Sequence, residues 1–417
     1  MKKFISLILV FAILFCAVAI PAAAEKTVTI DSTKFKTDYP YIFVHGMGGW
    51  APDNKFYSLS PYWGGGLSLN DTDMIKILNE NGIEAYAPAV GPLSSAWDRA
   101  CELFAQLTGT VVDYGEAHSK AHGHDRYGFS YEDSAVMGEP WNMKDKINLV
   151  GHSFGGATVR LLASLLAFGS EEELAASGEN TSELFKGGHD AVHSCITLSA
   201  PHNGSQVANM LVDPQVTMLL LSAALNLIGM VFGNNFLVFS FQLSHFGMTP
   251  AQDEFRALPS PCGMWSFFRT NDNCGYDMTL RGAAELNETI KLAPNTYYYS
   301  YTTADSSIKT LNPIFWISGA MLAMTKGLTV DGIRIEGDWA VNDGIVPLAS
   351  ALYPSVDAAT AKDYEQSLEN KEKIEPGRWY YLDTMYGMDH FDFCGTKHYP
   401  TSFEEFYFGI VETANSR

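Results

Sequence analysis

The stretch from residue 147 to residue 167 constrains the fold more than any other part of the chain. Ile147, Leu149 and Val150 form a short apolar run typical of a buried strand, and leucines then recur at helical spacing. The turn between them, residues 151–155, reads Gly-His-Ser-Phe-Gly. This G-x-S-x-G pattern is typical of a sharp turn that lifts a nucleophilic serine, here Ser153, above the carboxyl end of a sheet. An ordinary glycine-rich turn is the alternative, but the flanking strand and helix favour the catalytic interpretation.

A second glycine-rich loop follows an earlier apolar strand. The predicted strand Tyr41–Val44 runs into residues 45–50, His-Gly-Met-Gly-Gly-Trp. A loop at this place supplies one backbone N–H of an oxyanion hole, and the residue after the nucleophile supplies the other. We therefore assign the two donors to Met47 and Phe154. Packing of Met47 in a simple turn is the alternative, because backbone donors leave little trace in a sequence.

Two late residues complete a serine, aspartate, histidine order. Asp343 lies in a glycine-containing turn downstream of Ser153, and His390 follows the last predicted strand. In this order His390 would take the proton of the serine and Asp343 would orient the imidazole. His398 is the main alternative base. His202 follows the serine too early for the usual order, so we predict a structural role for it.

Residues 112–128 are rich in histidines and carboxylates. His118, His122 and His124 fall within seven residues, with acidic residues on both sides. Two neutral imidazoles and two carboxylates would close a tetrahedral zinc site, and a site with no open position is structural rather than catalytic. The spacing alone leaves a merely solvated loop as the alternative.

The longest apolar run after the N-terminal segment covers residues 216–232. We interpret it as part of a helical lid at about residues 207–240, whose apolar face covers a pocket in water and opens onto a lipid surface. A core helix and a membrane helix are the alternatives, and the run would barely span a bilayer.

The first 24 residues have the layout of a secretory signal peptide. Lys2 and Lys3 precede an apolar run, and an alanine-rich end follows it. We predict cleavage after Ala24 and secretion from the cell. Lipidation at Cys16 and an uncleaved anchor are the alternatives; the bulky Phe15 argues against the first and the alanine-rich end against the second.

Residues 25–417 are predicted to form one domain with insertions. The composition, 47% hydrophobic, is that of a globular protein, and no repeat or low-complexity linker divides the chain. The formal net charge of −20 disfavours nucleic acid and anionic surfaces as partners. We therefore expect a neutral or apolar substrate and no dedicated protein partner.

These segments together resemble the large secreted lipases of staphylococci and thermophilic bacilli, which are triacylglycerol lipases. The resemblance runs from about residue 41 to the end of the chain. The matching segments are residues 45–46, 89–95, 112–115, 122–124, 151–153, 201–204, 276–280, 342–346 and 389–390.

The resemblance implies an α/β-hydrolase fold, with a mainly parallel central sheet flanked by helices and a helical lid. It implies a zinc-pinned insertion built from about residues 95–128 and 255–280. The implied activity is hydrolysis of carboxylic esters of triacylglycerols at a lipid–water interface, through an acyl-enzyme on the triad Ser153, Asp343 and His390. A short-chain carboxylesterase or polyester depolymerase with the same triad is an alternative. A non-enzymatic binding protein on a hydrolase scaffold is another, but binding alone would not require an intact triad.

The resemblance also assigns metal ligands. The implied structural zinc site consists of Asp98, His118, His124 and Asp272. His122 is then a neighbour rather than a ligand. The family also has a calcium site just after the candidate base, where Asp392 matches one ligand. This sequence departs from the family there, because Lys397 stands in place of a second acid, and its ammonium could replace the charge of the cation.

Overall fold

Seven parallel strands form the centre of the computed structural model. The structure describes residues 38–52, 57, 60–66, 72–210, 242, 244–246, 270–307, 315–395 and 402–415. The strands of the central sheet are β1 (Tyr41–Val44), β2 (Ala85–Tyr86), β5 (Ile147–His152), β6 (Val192–Leu198), β7 (Tyr297–Tyr301), β11 (Lys362–Asp363) and β12 (Trp379–Tyr381). Their order across the sheet is β11-β12-β7-β6-β5-β1-β2.

Six further strands form three small two-stranded sheets. The antiparallel pairs are β3 (Val111–Asp113) with β4 (Tyr127–Ser130) and β9 (Thr329–Val330) with β10 (Ile333–Arg334), and the parallel pair is β8 (Thr303–Ala304) with β13 (Met385–Tyr386). The β3–β4 pair encloses, along the chain, the three histidines at residues 118, 122 and 124 of the predicted insertion.

Helices connect and cover the strands. In the described ranges they are α1 (Met74–Glu80), α2 (Ala96–Thr108), α3 (Glu116–His122), α4 (Gly155–Phe168), α5 (Glu171–Ser177), α6 (Glu183–Lys186), α7 (Gln206–Met210), α8 (Cys274–Asp277), α9 (Leu280–Thr289), α10 (Trp316–Thr325), α11 (Leu348–Leu352), α12 (Tyr364–Glu369) and α13 (Phe403–Asn415). Short 3₁₀ helices cover Gly178–Asn180, Ser244–Phe246, Gly337–Trp339, Ser355–Asp357 and Asp392–Cys394. No helix in these ranges is both long and apolar enough to cross a bilayer.

The alternation of side chains along each strand divides the core into two layers. In β1, Ile42 and Val44 point into a cluster with α2 and α4, whereas Tyr41 and Phe43 point into a cluster with α1 and α13. All four side chains are buried. Because both faces of a parallel sheet are covered by helices, the strand residues are apolar on both sides. The predicted mainly parallel sheet flanked by helices is confirmed.

The strand order reverses between β1 and β5. The chain passes from β1 to β2 on one side, and its next strand in the sheet, β5, pairs with the other side of β1. In such sheets a crevice opens at the carboxyl ends of the two strands where the order reverses, because the following loops diverge. The loop after β1 and the loop after β5 are the two that the sequence assigns to catalysis.

Candidate active site

Ser153 sits on the sharp turn between β5 and α4. Its φ is +55°, in the left-handed region that side chains other than glycine seldom adopt. The turn is tight because neighbouring backbone approaches its glycines. A Cβ on Gly151 would lie 2.4 Å from the Gly155 carbonyl oxygen, and one on Gly155 would lie 2.1 Å from the Val44 oxygen. The pattern thus folds as an elbow that holds the serine hydroxyl at the end of the sheet.

His390 and Asp343 lie beside this serine. The His390 Nε2 is 2.8 Å from the Ser153 Oγ, and the His390 Nδ1 is 2.8 Å from the Asp343 Oδ2. The other carboxylate oxygen, Oδ1, accepts hydrogen bonds from the backbone N–H groups of Ile345 and Val346. Asp343 and His390 are almost fully buried. The structure therefore brings the three predicted residues into one hydrogen-bonded chain.

His202, the earlier alternative base, has both ring nitrogens engaged elsewhere. Its Nδ1 lies 3.2 Å from the Arg160 Nη1, and its Nε2 lies 3.1 Å from the Thr197 Oγ1. Burial, followed by the charge of Arg160, holds the pKa of His202 well below its usual value. These contacts support the predicted structural role. His398 lies outside the described residues.

The two predicted oxyanion donors flank the serine. Gly46 passes so close that a Cβ there would lie 2.7 Å from the Ser153 Cβ, and Met47 follows it. Phe154 is the residue before α4. Within the described ranges, neither the Met47 N–H nor the Phe154 N–H donates a hydrogen bond to the protein. Among the described residues, therefore, no protein acceptor competes with a ligand oxygen for these two amides.

A buried network that the sequence did not indicate joins the loop after β1, the end of β5 and the loop that carries His390. The Gly46 N–H donates to the Tyr62 hydroxyl at 2.9 Å, and this hydroxyl lies 2.6 Å from the His152 Nδ1. The His152 Nε2 lies 2.9 Å from the His390 carbonyl oxygen. Burial, and then the charge of His390, hold the pKa of His152 well below its usual value, so the ring is neutral. Tyr62 lies in a segment without a recognisable pattern, so its role was not predictable.

Asp98, His118, His124 and Asp272 converge at a second site. Their ligand atoms all lie within 4.8 Å of one another. The His118 Nε2 is 3.2 Å from one oxygen of Asp98 and 3.2 Å from one oxygen of Asp272, and the His124 Nε2 is also 3.2 Å from Asp272. Burial by itself lowers the pKa of His118, but the two carboxylates raise it to about 10. The two buried carboxylates thus favour a positive charge between them, and the four side chains could hold a metal ion.

Two further histidines border this group. His122, which we expect to be a neighbour rather than a ligand, has its Nδ1 2.9 Å from the Thr270 Oγ1. His245 was not anticipated, yet its buried ring places Nε2 3.0 Å from the second oxygen of Asp98. Residues 244–246 form a short 3₁₀ helix and carry no recognisable motif, so the sequence offered no signal for this contact.

Asp392 lies just after His390 and is held locally. Its Oδ2 accepts a hydrogen bond from the Asp389 N–H at 2.7 Å. Lys397, the residue at which the sequence departs from the expected calcium ligands, lies outside the described residues. The calcium site therefore stays a prediction.

Of the predicted lid, α7 contains residues 207–210, and residues 211–240 lie outside the described ranges.

A family model described as "Lipase-like, C-terminal domain" matches residues 37–414. The chain belongs to this family. Lipase 2 of Staphylococcus aureus (strain MRSA252) and a lipase of Staphylococcus epidermidis are each 33% identical to it over 393 residues. These alignments cover 89% and 91% of this chain but 53% and 54% of the relatives. The chain thus spans about half the length of the curated relatives it matches. The resemblance to the staphylococcal lipases is confirmed.

Three solved structures share the architecture of this chain. The Staphylococcus hyicus lipase superposes with a TM-score of 0.73 at 28% identity, covering 95% of this chain and all of that one (100%). EstA from Clostridium botulinum gives 0.72 at 29% identity, with 95% and 92% covered. Lipase 1 from Pelosinus fermentans gives 0.71 at 29% identity, with 91% and 98% covered. The fold is therefore of the α/β-hydrolase type, as predicted.

Proposed function

We propose that the chain is a lipase that hydrolyses carboxylic ester bonds of triacylglycerols through an acyl-enzyme on Ser153. The observation that carries the proposal is the hydrogen-bonded chain from Ser153 through His390 to Asp343, with Met47 and Phe154 beside it. Nucleophile, base and orienting carboxylate occupy the geometry that acyl transfer requires. Membership of the lipase-like family supports an ester as the substrate.

Each residue has a distinct role in the proposed reaction. His390 takes the hydroxyl proton of Ser153 as the oxygen attacks the ester carbonyl carbon. Asp343 balances the charge of the resulting imidazolium, and the N–H groups of Met47 and Phe154 stabilise the tetrahedral oxyanion. His390 then protonates the departing alcohol. Water repeats the sequence on the acyl-enzyme, releasing the fatty acid and restoring the serine.

The expected substrates are neutral lipids at a lipid–water interface, reached after secretion through the predicted signal peptide. The net charge of −20 supports a neutral substrate, because an anionic polymer or surface would be repelled. The names of the S. aureus and S. hyicus relatives, which are lipases, point to the same substrate class. We propose no dedicated protein partner.

Hydrolysis by purified residues 25–417 tests the function. Tributyrin and triolein are compared below and above their solubility limits, with Ser153→Ala and Ser164→Ala as variants. Ser153→Ala should fold normally and lose at least about 10⁴-fold in turnover, because the nucleophile is gone. Ser164, buried on α4 with its Oγ accepting from the Lys291 N–H, provides a matched serine remote from the catalytic contacts. Its variant should stay active.

The chain-length comparison separates the alternatives. A higher rate on emulsified triolein supports a lipase, whereas turnover confined to soluble short esters would make the enzyme a carboxylesterase. Ester turnover by Ser153→Ala close to that of the wild type would contradict the catalytic assignment. A wild-type protein inert on both substrates would favour a binding protein.

We also propose that Asp98, His118, His124 and Asp272 hold a structural zinc ion. A tetrahedral zinc with bonds of about 2.0 Å spaces its ligand atoms about 3.3 Å apart. The 3.2 Å separations within the group fit this spacing, whereas direct ion pairs between nitrogen and carboxylate are usually about 2.7–2.9 Å long. The His124 Nε2 is buried without a well-aligned hydrogen bond, as expected of a metal ligand. Four protein ligands leave no open position, so the ion would supply stability rather than chemistry.

A further inference from the structure

Arg99 lies behind the glycine-rich loop that follows β1. It is part of α2, its side chain has no exposed surface, and its guanidinium donates hydrogen bonds to neighbouring oxygens. Nη2 donates to the carbonyl oxygen of His45, and Nη1 lies 3.4 Å from the carbonyl oxygen of Gly46. Nε donates to the Thr158 Oγ1 at 2.9 Å. Two consecutive carbonyl groups of one loop are thus held by one side chain.

The Gly46 carbonyl and the Met47 N–H belong to the same peptide group. In a planar trans peptide these two bonds point in opposite directions, so fixing the carbonyl fixes the direction of the N–H. A second donor, the neutral ring of His45, supports the same carbonyl, with Nδ1 2.9 Å from the Gly46 oxygen. Burial and the charge of Arg99 lower the pKa of His45 to about 3, so this ring stays neutral. The Met47 N–H is therefore directed away from the side on which Arg99 and His45 bind the Gly46 oxygen.

The guanidinium also contacts the other oxyanion residue. Its Cζ lies 5.2 Å from the centre of the Phe154 ring, over the ring face. Thr158, which accepts from Nε, is one helical turn beyond Phe154 in α4. Arg99 thus touches both loops that carry the two proposed donors.

We propose that Arg99 is a positioning residue that sets the oxyanion hole, by holding the Gly46–Met47 peptide and the start of α4 in their reactive orientation. The inference rests on the proposed function. Oxyanion donors act mainly on the transition state, because the charge they bind develops there. Misorienting the Met47 N–H should therefore lower kcat and leave KM nearly unchanged.

The chain offers a matched control in Arg160. This arginine is also fully buried, lies on α4 and stacks over an aromatic ring, here Trp379 at 5.8 Å. Its hydrogen bonds go to His202 and Asn287, which are outside the catalytic contacts. Replacement of either arginine leaves buried acceptors unsatisfied and should lower stability. Only replacement of Arg99 should change the oxyanion hole.

The test compares Arg99→Met and Arg160→Met by kcat and KM on a soluble short-chain ester. End-point labelling of Ser153 with a fluorophosphonate counts correctly folded sites, so kcat is expressed per labelled site. Arg99→Met should lose about 30- to 100-fold in kcat, somewhat less than outright loss of a donor, with KM within about threefold of the wild type. Arg160→Met should retain kcat per labelled site.

The inhibition constant of a transition-state analogue distinguishes a positioning role from a purely structural one. If Arg99 only stabilised the fold, its replacement would leave this constant unchanged in the folded protein. With n-butylboronic acid, the Ser153 oxygen bonds to boron, its proton passes to His390, and a negatively charged tetrahedral adduct forms. The inhibition constant should weaken in Arg99→Met by about the same factor as kcat. Arg99→Lys, which keeps the charge but not the fork of donors, should recover part of both losses.

If Arg99→Met does not fold, the variant Thr158→Val tests the same inference. Valine has nearly the same shape as threonine but cannot accept from the Arg99 Nε, so the guanidinium loses one anchor. We expect about a three- to tenfold fall in kcat at unchanged KM. A folded Thr158→Val or Arg99→Met with kcat within twofold of the wild type would overturn the inference. Wild-type protein without ester turnover or serine labelling would instead contradict the proposed function itself.

Discussion

At the scale of single residues, the space around Ser153 is set by glycines. Gly46 is the clearest case, because its negative φ would suit alanine, yet a Cβ there would lie 2.7 Å from the Ser153 Cβ and 3.1 Å from its Oγ. Such a contact is closer than van der Waals packing allows. The glycine therefore serves the approach of the loop to the nucleophile rather than an unusual backbone conformation.

Gly46→Ala should lose on the order of 10² in kcat, since either the serine or the oxyanion loop must move. Gly409→Ala is the control, because Gly409 lies in α13 and, apart from the helix's own backbone, no atom of the described residues lies within 4 Å of its Cβ position. Kinetics on a soluble ester, together with a thermal melt, measure both variants. Equal kcat values for Gly46→Ala and the wild type would show that the loop is farther from the serine in solution.

At the scale of elements, helix α2 carries both a candidate metal ligand, Asp98, and Arg99, which contacts the loop after β1. Consecutive helical residues point about 100° apart, so Asp98 faces the metal group while Arg99 faces the loop after β1. Ser95 precedes the helix as its N-cap, and its side chain accepts a hydrogen bond from the Asp98 N–H, which fixes the first turn. A metal ion at Asp98 would hold this end of α2 against α3 and residue 272.

Removal of the proposed zinc ion should destabilise the protein, because the binding free energy of a structural ion is part of the folding free energy of the protein. Treatment with 1,10-phenanthroline, or the change His124→Ala, should lower Tm by roughly 5–10 °C. His122→Ala is the control, since His122 contacts Thr270 beside the proposed ligands. Elemental analysis should give one zinc per chain for the wild type and for the control. An unchanged melt with no zinc present would exclude the site.

At the scale of the whole molecule, several histidines are buried in the neutral form. His45, His152 and His202 come from different parts of the fold, and burial lowers the pKa of each. In the unfolded chain a histidine has a pKa of about 6.5. Below that pH the unfolded state binds protons that the folded state does not, so stability is lost as the pH falls.

His202→Gln isolates one such contribution. At pH 5 a histidine that stays neutral when folded costs about 2 kcal/mol of stability relative to pH 7.5. Glutamine does not titrate, so the free energy of unfolding of the variant, relative to the wild type, should rise by about 2 kcal/mol between pH 7.5 and pH 5. Urea denaturation at the two pH values measures this difference. If the difference in unfolding free energy between His202→Gln and the wild type were the same at both pH values, His202 would bind a proton as readily in the folded state as in the unfolded state.

The features that the sequence alone determined are those encoded locally or by chain order. The apolar run and glycines around Ser153 predict the elbow, because strand periodicity and close backbone approach leave a pattern in neighbouring residues. The order of Ser153, Asp343 and His390 predicts which residues meet at the carboxyl edge of the sheet. In the structure the His390 ring lies between the Ser153 hydroxyl and the Asp343 carboxylate, 2.8 Å from each.

The tertiary structure alone decided the contacts between distant segments. Asp272 meets His118 across 154 positions of the chain, and Tyr62 meets His152 across 90. The resemblance implied the first of these, but nothing in the residues indicated Tyr62, Arg99 or His245. The packing of helices and loops on the sheet determines these contacts. A buried polar group needs a hydrogen-bond partner, and that partner can come from any part of the chain that packs beside it. Local sequence periodicity does not indicate which distant residues will be in contact.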